Sequence, residues 1–236
     1  MPLVIDIAIA KTNKYASRES GDTVEIVERP GGGMSVIMAD GQGSGRAAKV
    51  LSLLVTAKVA ALLKEGVRDG ASARAANDFL FAMRHGKVSA TLDILSVDLK
   101  TNTVVITRNS GTSCLVATSE GVDVIAGAER PLGTHDRTRP WTSEFPVASG
   151  IRVILVSDGI GQAGVRGQLP PLDLAELLCR AGPAADAENV ANLVLTTAIE
   201  RDRGKPGDDM SVIALALRDH QETTLIRRMR AEVPLP

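Results

Sequence analysis

The sequence predicts an α+β domain in which helices pack on β-sheets, and three observations lead there. Short β-branched runs bounded by turn residues alternate with longer helical runs. No Ser/Gly/Pro-rich linker interrupts this alternation, so the 236 residues read as one large domain rather than two small ones. Hydrophobic residues make up 44% of the chain but aromatic residues only 2%, so the core between the layers is aliphatic.

Strands are predicted over residues 3–10, 23–29, 34–39, 90–99, 103–109, 113–118, 122–126, 141–145, 151–157 and 210–217. Helices are predicted over 46–65, where Gly66 stops the run, then 71–84, 173–180 and 187–201, the last ending near Gly204. In helix 46–65, Lys49, Ser52 and Thr56 form a narrow polar stripe while Val50, Leu51, Leu53 and their neighbours cover the rest. Such a pattern predicts burial on more than one side, with a sheet below and helix 71–84 beside it. Beyond the single domain, placed at residues 1–218, lies a tail over 219–236 in which Arg227, Arg228 and Arg230 stand near Leu225, Ile226 and Met229. It reads as a solvated tail or as a docking helix.

Composition excludes several function classes. Lys plus Arg number 27 against 28 Asp plus Glu, a net charge of −1, without the basic excess of a nucleic-acid binder. The longest apolar stretch, from Val50 to Leu63, is broken by Ser52, Thr56 and Lys58 and is shorter than the ~20 residues of a membrane span. The N-terminus lacks the pattern of a secretory signal, so the expected location is cytoplasmic. Cys114 and Cys179 match no CxxC or metal spacing and read as ordinary reduced thiols.

Acidic residues stand at the ends of predicted strands rather than on their faces: Asp22, Asp40, Asp158 and the pair Asp208-Asp209. If 30–33 is a four-residue hairpin loop, Arg29 faces Met34, and Asp22 then faces Gly41, one residue from Asp40. Gly41 and Gly159 follow two of these aspartates, and a residue without Cβ lets backbone approach an ion. Converging carboxylates repel one another unless cations are bound, and two divalent ions would neutralise four of them. The candidate ligands are all oxygen, and none of His85, His135 or His220 lies in a ligand-spaced pair, which favours Mg²⁺ or Mn²⁺ over Zn²⁺. Two such ions ~3.5–4 Å apart can share a water and clamp an in-line phosphoryl displacement. The cluster from Gly41 to Arg46 is no nucleotide loop: Arg46 stands where GxGxxG needs Gly, and the Gly-Lys pair of a phosphate loop is absent. Ser44 as helix N-cap accounts for most of it.

The ordered motifs Ser20-Gly21-Asp22, Ala39-Asp40-Gly41-Gln42-Gly43-Ser44-Gly45, Ala90-Thr91-Leu92-Asp93, Pro131-Leu132-Gly133, Val156-Ser157-Asp158-Gly159 and Gly207-Asp208-Asp209-Met210-Ser211 span nearly the whole chain. In that order they resemble the type 2C metal-dependent Ser/Thr protein phosphatases. The likeness is strongest to the bacterial branch typified by the stage II sporulation protein E phosphatase and small stress-response regulators of sigma-factor pathways. The resemblance implies a four-layer αββα sandwich, two antiparallel sheets flanked by helices. It also implies two Mn²⁺ or Mg²⁺ ions, with Asp40 bridging both, Asp158 and Asp208 completing the first, and Asp22 with the Gly41 carbonyl serving the second. Asp209 would stand behind the ligands or exchange roles with Asp208.

Two departures from the family pattern matter, and one further match. Gln42 replaces the His that follows Asp-Gly in eukaryotic relatives and is a candidate general acid there. Arg18, four residues before Asp22, matches a phosphate-binding Arg of those relatives, and a guanidinium suits a phosphate; an exposed surface Arg is the other reading. Gly111-Thr112 stands where many relatives carry a third-metal Gly-Asp, and Asp93, inside a strand, reads as a structural hydrogen-bonding residue. The function implied is hydrolysis of phosphoserine or phosphothreonine on a phosphorylated regulatory protein, such as an anti-sigma antagonist domain, by metal-activated water without a phosphoenzyme. The chain would act as a monomer or homodimer, with neither nucleic acid nor membrane as partner. The alternative is a non-catalytic regulator of the same fold, whose usual sign, loss of the carboxylates, is missing. A haloacid-dehalogenase-like phosphatase needs a DxDxT motif that Asp98-Leu99-Lys100 does not supply.

Overall fold

Along the central strands, successive side chains enter different cores, because both faces of each sheet are covered. Val36 and Met38 point into a layer between two sheets, while Ile37 and Ala39 point the other way, under helices. The structure is a computed structural model describing residues 2–127, 130–220 and 226–234. Its strands are β1 (Leu3–Thr12), β2 (Asp22–Glu28), β3 (Gly33–Gly41), β4 (Ala90–Asp98), β5 (Thr103–Arg108), β6 (Cys114–Thr118), β7 (Gly121–Ile125), β8 (Trp141–Pro146), β9 (Arg152–Val156) and β10 (Met210–Asp219). Its helices are α1 (Gly45–Lys64), α2 (Asp69–Arg84), α3 (Asp158–Gly161), α4 (Leu174–Ala181) and α5 (Ala187–Arg201).

Two antiparallel five-stranded sheets form, in the orders β1-β10-β9-β6-β7 and β2-β3-β4-β5-β8. Between them lies an aliphatic layer that includes Val36, Leu95, Ile106, Val153, Leu155 and Ile213. Helices α1 and α2 close the outer face of the β3 sheet through Val55, Val59, Leu63 and Leu80, and α4 and α5 close that of the β10 sheet through Leu177, Val190 and Val194. The result is the four-layer αββα sandwich. No helix among the described residues is long and apolar enough to cross a membrane.

Three local expectations change. The β2–β3 register is Glu28 opposite Met34 and Asp22 opposite Asp40, one residue from the pairing predicted by a four-residue loop. Gly32 N–H donates to the Arg29 carbonyl (3.0 Å) and Arg29 N–H to the Gly33 carbonyl (3.2 Å), so the turn takes up one more residue. Gly33 makes this possible: its φ is +97°, and a Cβ there would lie 1.9 Å from the Val97 carbonyl oxygen. Arg29, at the turn, is buried and binds Asp69 at the start of α2 (2.8 Å) and Asp98 at the end of β4 (3.1 Å).

Helix α1 is oriented differently from its sequence pattern. Ser52 and Thr56 are fully buried, whereas Val50 and Leu53 are 42% and 47% exposed. The hydroxyls tolerate burial because Ser52 donates to the Lys49 carbonyl (3.0 Å) and meets Thr23 Oγ1 (2.7 Å), and Thr56 donates to the Leu53 carbonyl (3.2 Å). Ser44 sits at the N-cap with φ −151°, but its hydroxyl makes no cap bond. The helix α3 was not anticipated, since four residues carry no readable periodicity. In the tail, residues 226–234 contain no helix and Ile226 and Met229 are exposed; Leu225 lies outside the described residues.

Candidate active site

The acidic strand ends meet at one edge of the sandwich. Asp22 opens β2 directly across from Asp40 on β3, so their side chains share a face. Asp158 opens α3 where β9 ends, and Asp208 and Asp209 lead into β10. Ser157 and Ser211 tie these two ends together: Ser157 N–H donates to the Ser211 carbonyl (2.9 Å) and Ser211 N–H to Ser157 Oγ (2.9 Å). Ser211 Oγ then donates to Asp22 Oδ2 (2.6 Å), a bond that crosses from one sheet to the other.

Burial and neighbouring charge act together on these carboxylates. Burial, aided by the charges of Asp22, Asp158, Asp208 and Asp209, pushes the Asp40 carboxyl up to about 8. Burial pushes Asp22 up to about 6 despite hydrogen bonds from Ser211 and Ser157, and burial together with Asp208 raises Asp158. Asp22 is 1% exposed, and its Oδ1 has no hydrogen-bond partner among the described residues. Among those residues, no three acidic, imidazole or thiol side chains already stand together as a finished ion cage. An all-oxygen donor set with one buried oxygen unpartnered fits hard divalent cations.

Asp209 differs from its neighbour. Both of its oxygens accept backbone N–H groups, from Lys14 (2.8 Å) and Gly21 (2.7 Å), so it clasps the β1–β2 loop to the start of β10. The Asp208 side chain remains 45% exposed, with its Oδ1 accepting Asp209 N–H (3.0 Å) and lying 3.7 Å from the Lys14 ammonium. Behind Asp22, the ammonium groups of Lys11 (2.9 Å) and Lys49 (2.8 Å) both donate to its carbonyl oxygen. Sequence reasoning missed these two lysines. They come from β1 and α1, and no local motif joins them.

Gly41 is buried where α1 crosses β3, and a Cβ on it would lie 2.1 Å from the Ala48 carbonyl oxygen. Gly41→Ala should therefore push α1 from the strand and cost ~2 kcal/mol. Thermal unfolding of the purified variant checks this; an unchanged melting temperature would mean that the helix accommodates the methyl group.

Asp40, Asp158 and Asp208 open into a cleft of about 680 Å³, lined also by Ser89, by Thr91 opposite Asp40 on β4, and by the loop 109–113. Gln42 lines it too, but its Oε1 accepts Ser89 N–H (3.0 Å) and its N–H donates to the Ser89 carbonyl (2.9 Å). It fastens β3 to the start of β4. Arg18 lies in an exposed turn, and its guanidinium has no hydrogen bond or ion pair among the described residues; only its carbonyl is engaged, by Asn13. Asp93 faces Arg108 across β4–β5 and pairs with it at 3.2 Å, which makes it structural. Arg108 also donates to Ser110 (2.9 Å) and to the hydroxyl and carbonyl of Thr112, and so supports the loop that holds Gly111-Thr112. Cys114 is buried and Cys179 exposed, both as free thiols.

The family model for stage II sporulation protein E (SpoIIE) matches residues 30–218. The chain belongs to that family. No curated protein matches it in sequence. In fold it is similar to the PP2C phosphatase domain of SpoIIE from Bacillus subtilis, solved with a fragment of its regulatory domain. That likeness has a TM-score of 0.78 and 18% identity over 93% of this chain, and this chain spans 65% of the length of that one. It is also similar to RsbX in complex with magnesium, with a TM-score of 0.70 and 16% identity over 90% of this chain and 95% of that one. The catalytic domain of PstP, in complex with two manganese ions, gives 0.69 and 20% over 92% and 100%. The SpoIIE-like family and the αββα fold expected from the motifs are borne out.

Proposed function

We propose that the protein is a metal-dependent phosphatase that hydrolyses phosphoserine or phosphothreonine on a regulatory partner protein. The partner would be of the anti-sigma antagonist type, in a bacterial partner-switching pathway in the cytoplasm. The observation that carries this reading is the pairing of Asp22 with Asp40 across β2–β3, at the end of a cleft that Asp158 and Asp208 also reach. Membership of the SpoIIE family supports it, as do the magnesium of the RsbX structure and the manganese of the PstP structure.

Asp40 would lie between two divalent ions, with Asp158 and Asp208 on the first and Asp22 and the Gly41 carbonyl on the second. Such a pair supplies a water of lowered pKa and an electrophilic clamp on phosphoryl oxygens. The chain's own residues do the positioning. Ser211 holds Asp22 Oδ2 and leaves Oδ1 free, Lys11 and Lys49 fix the Asp22 backbone, and Asp209 keeps the β1–β2 loop against the strand ends. Arg18, exposed on that loop, is available for a phosphate oxygen. Gln42 has no titrating proton, so an imidazole acid at its position is absent from this chain.

Ion-free protein should lose stability as pH rises. Asp40 and Asp22 ionise near 3.8 when unperturbed but near about 8 and about 6 in the fold, so the folded state holds protons that the unfolded chain releases. Their contribution is present in full below pH 3.8 and is lost as pH climbs through those folded values. Between about pH 5 and about pH 9 the EDTA-treated protein should lose ~3 kcal/mol in unfolding experiments, and saturating Mn²⁺ should restore it. A flat profile would show that neither burial nor neighbouring charge holds these carboxyls protonated in the fold.

The function itself is tested by phosphate release from an aryl phosphate and from a phosphoserine protein, with Mn²⁺ titrated and EDTA as control. Release that follows Mn²⁺ and stops with EDTA is expected. No release from phosphorylated candidate partners, with metal shown to be bound by calorimetry, would overturn the reading in favour of non-catalytic partner binding.

A further inference from the structure

The cleft beside the carboxylates has an unusual charge inventory. Among the described residues its acidic members are Asp40, Asp93, Asp158 and Asp208, and no Lys, Arg or His lines it. Away from the carboxylate end the wall is neutral: hydroxyls of Ser89 and Ser113, and apolar surface from Pro131, Leu172 and Leu174. Two cations near it are already engaged. Arg108 lies 1% exposed beneath loop 109–113, paired with Asp93, and Lys14 stands against Asp208. Lys11 and Lys49 donate to the Asp22 carbonyl and are not among the lining residues.

The wall also presents an unmatched acceptor. Asn109 lines the cleft, is 1% exposed, and donates from Nδ2 to the Arg130 carbonyl (3.2 Å), while its Oδ1 has no partner among the described residues. A cleft built from acceptors, hydroxyls and apolar groups welcomes donors and neutral side chains. A carboxylate brought into it would be desolvated with no lining cation among the described residues to meet it.

From this we infer that the cleft selects against acid: the enzyme acts on phosphorylated segments whose flanking residues are neutral or basic and discriminates against those with acidic flanks. The inference rests on the phosphatase reading above and adds the substrate class of that site. The phosphate itself would be held at the carboxylate end, so discrimination arises where the flanking residues cross the neutral wall. Ser113 is the point at which to change it, because it is exposed and its hydroxyl has no hydrogen bond among the described residues.

The test uses three phosphoserine peptides of one length, with neutral, basic or acidic residues on both sides of the phosphoserine, assayed with saturating Mn²⁺ at low and high salt. The acidic-flanked peptide should show a kcat/KM about tenfold or more below the neutral one, and the basic-flanked peptide should equal or exceed the neutral one. Higher salt should narrow the gap. Ser113→Lys should narrow it at least about threefold by supplying the missing cation. Equal kcat/KM for all three peptides would overturn the charge preference and leave the phosphatase reading standing. A gap that Ser113→Lys does not change would overturn the assignment of the preference to this wall. Turnover of none of the peptides, with Mn²⁺ bound, would overturn the phosphatase reading and this inference with it.

Discussion

Asp40→Asn should abolish metal-dependent phosphate release, by at least about 10³-fold, while leaving the protein folded. Asp40 is the carboxylate that the others surround: the charges of Asp22, Asp158, Asp208 and Asp209 all act to raise its pKa. An amide of the same shape keeps the strand pairing with Asp22 and Thr91 and removes the charge that two cations would share. It also relieves repulsion. The ion-free variant should therefore unfold at a temperature equal to or above that of the ion-free parent at about pH 8, and should gain less from added Mn²⁺. Phosphate release and thermal unfolding with and without Mn²⁺ read both effects. Turnover within tenfold of the parent would remove Asp40 from the centre of the site.

Arg108→Met should cost 3–5 kcal/mol of stability, as removal of one partner of a buried ion pair does when the other charge stays behind. For a chain of this length that is a fall in melting temperature of roughly 10 °C. Arg108 and Asp93 are each 1% exposed and face one another across β4–β5. Without the guanidinium, Asp93 is left with Ser110, whose hydroxyl lies at 2.7 and 2.8 Å, and the Thr112 and Ile125 carbonyls lose a donor. Burial already raises the Asp93 pKa, and the loss of Arg108 raises it further, so the defect should grow as pH rises. Combining Arg108→Met with Asp93→Leu should recover most of the loss, because no unpaired charge then remains. Recovery absent from the double variant would mean that support of loop 109–113, rather than charge pairing, is what Arg108 provides.

All ten strands and the four longer helices were legible because β-branched runs and helical runs are punctuated by glycine, and each was placed to within about two residues. The acidic strand ends were legible for a related reason. A carboxylate at the end of an apolar run is unneeded by the core, and several such ends in one chain invite a common explanation. The side of α1 that faces inward was not legible. Ser52 and Thr56 look like a solvent stripe, yet their hydroxyls are satisfied by their own helix and by Thr23, which lets Val50 and Leu53 face water instead.

The sequence by itself determined the succession of strands and helices, the SpoIIE-like motif set and the residues Asp22, Asp40, Asp158 and Asp208 as candidates, since these depend on local pattern and residue chemistry; the layer order came with the resemblance that the motifs carry. Tertiary structure decided what each of them faces. The left-handed Gly33 shifts β2–β3 by one residue and sets Asp22 opposite Asp40 rather than Gly41. Asp208 and Asp209, adjacent and chemically identical, separate only because Lys14 and Gly21 bring backbone donors to one of them. Lys11 and Lys49 converge on a single carbonyl from different layers, and the neutral wall of the cleft is assembled from β4 and from loops far apart in the chain. Such contacts join residues distant in sequence, and their energies depend on packing and burial, quantities that exist only once the chain has folded.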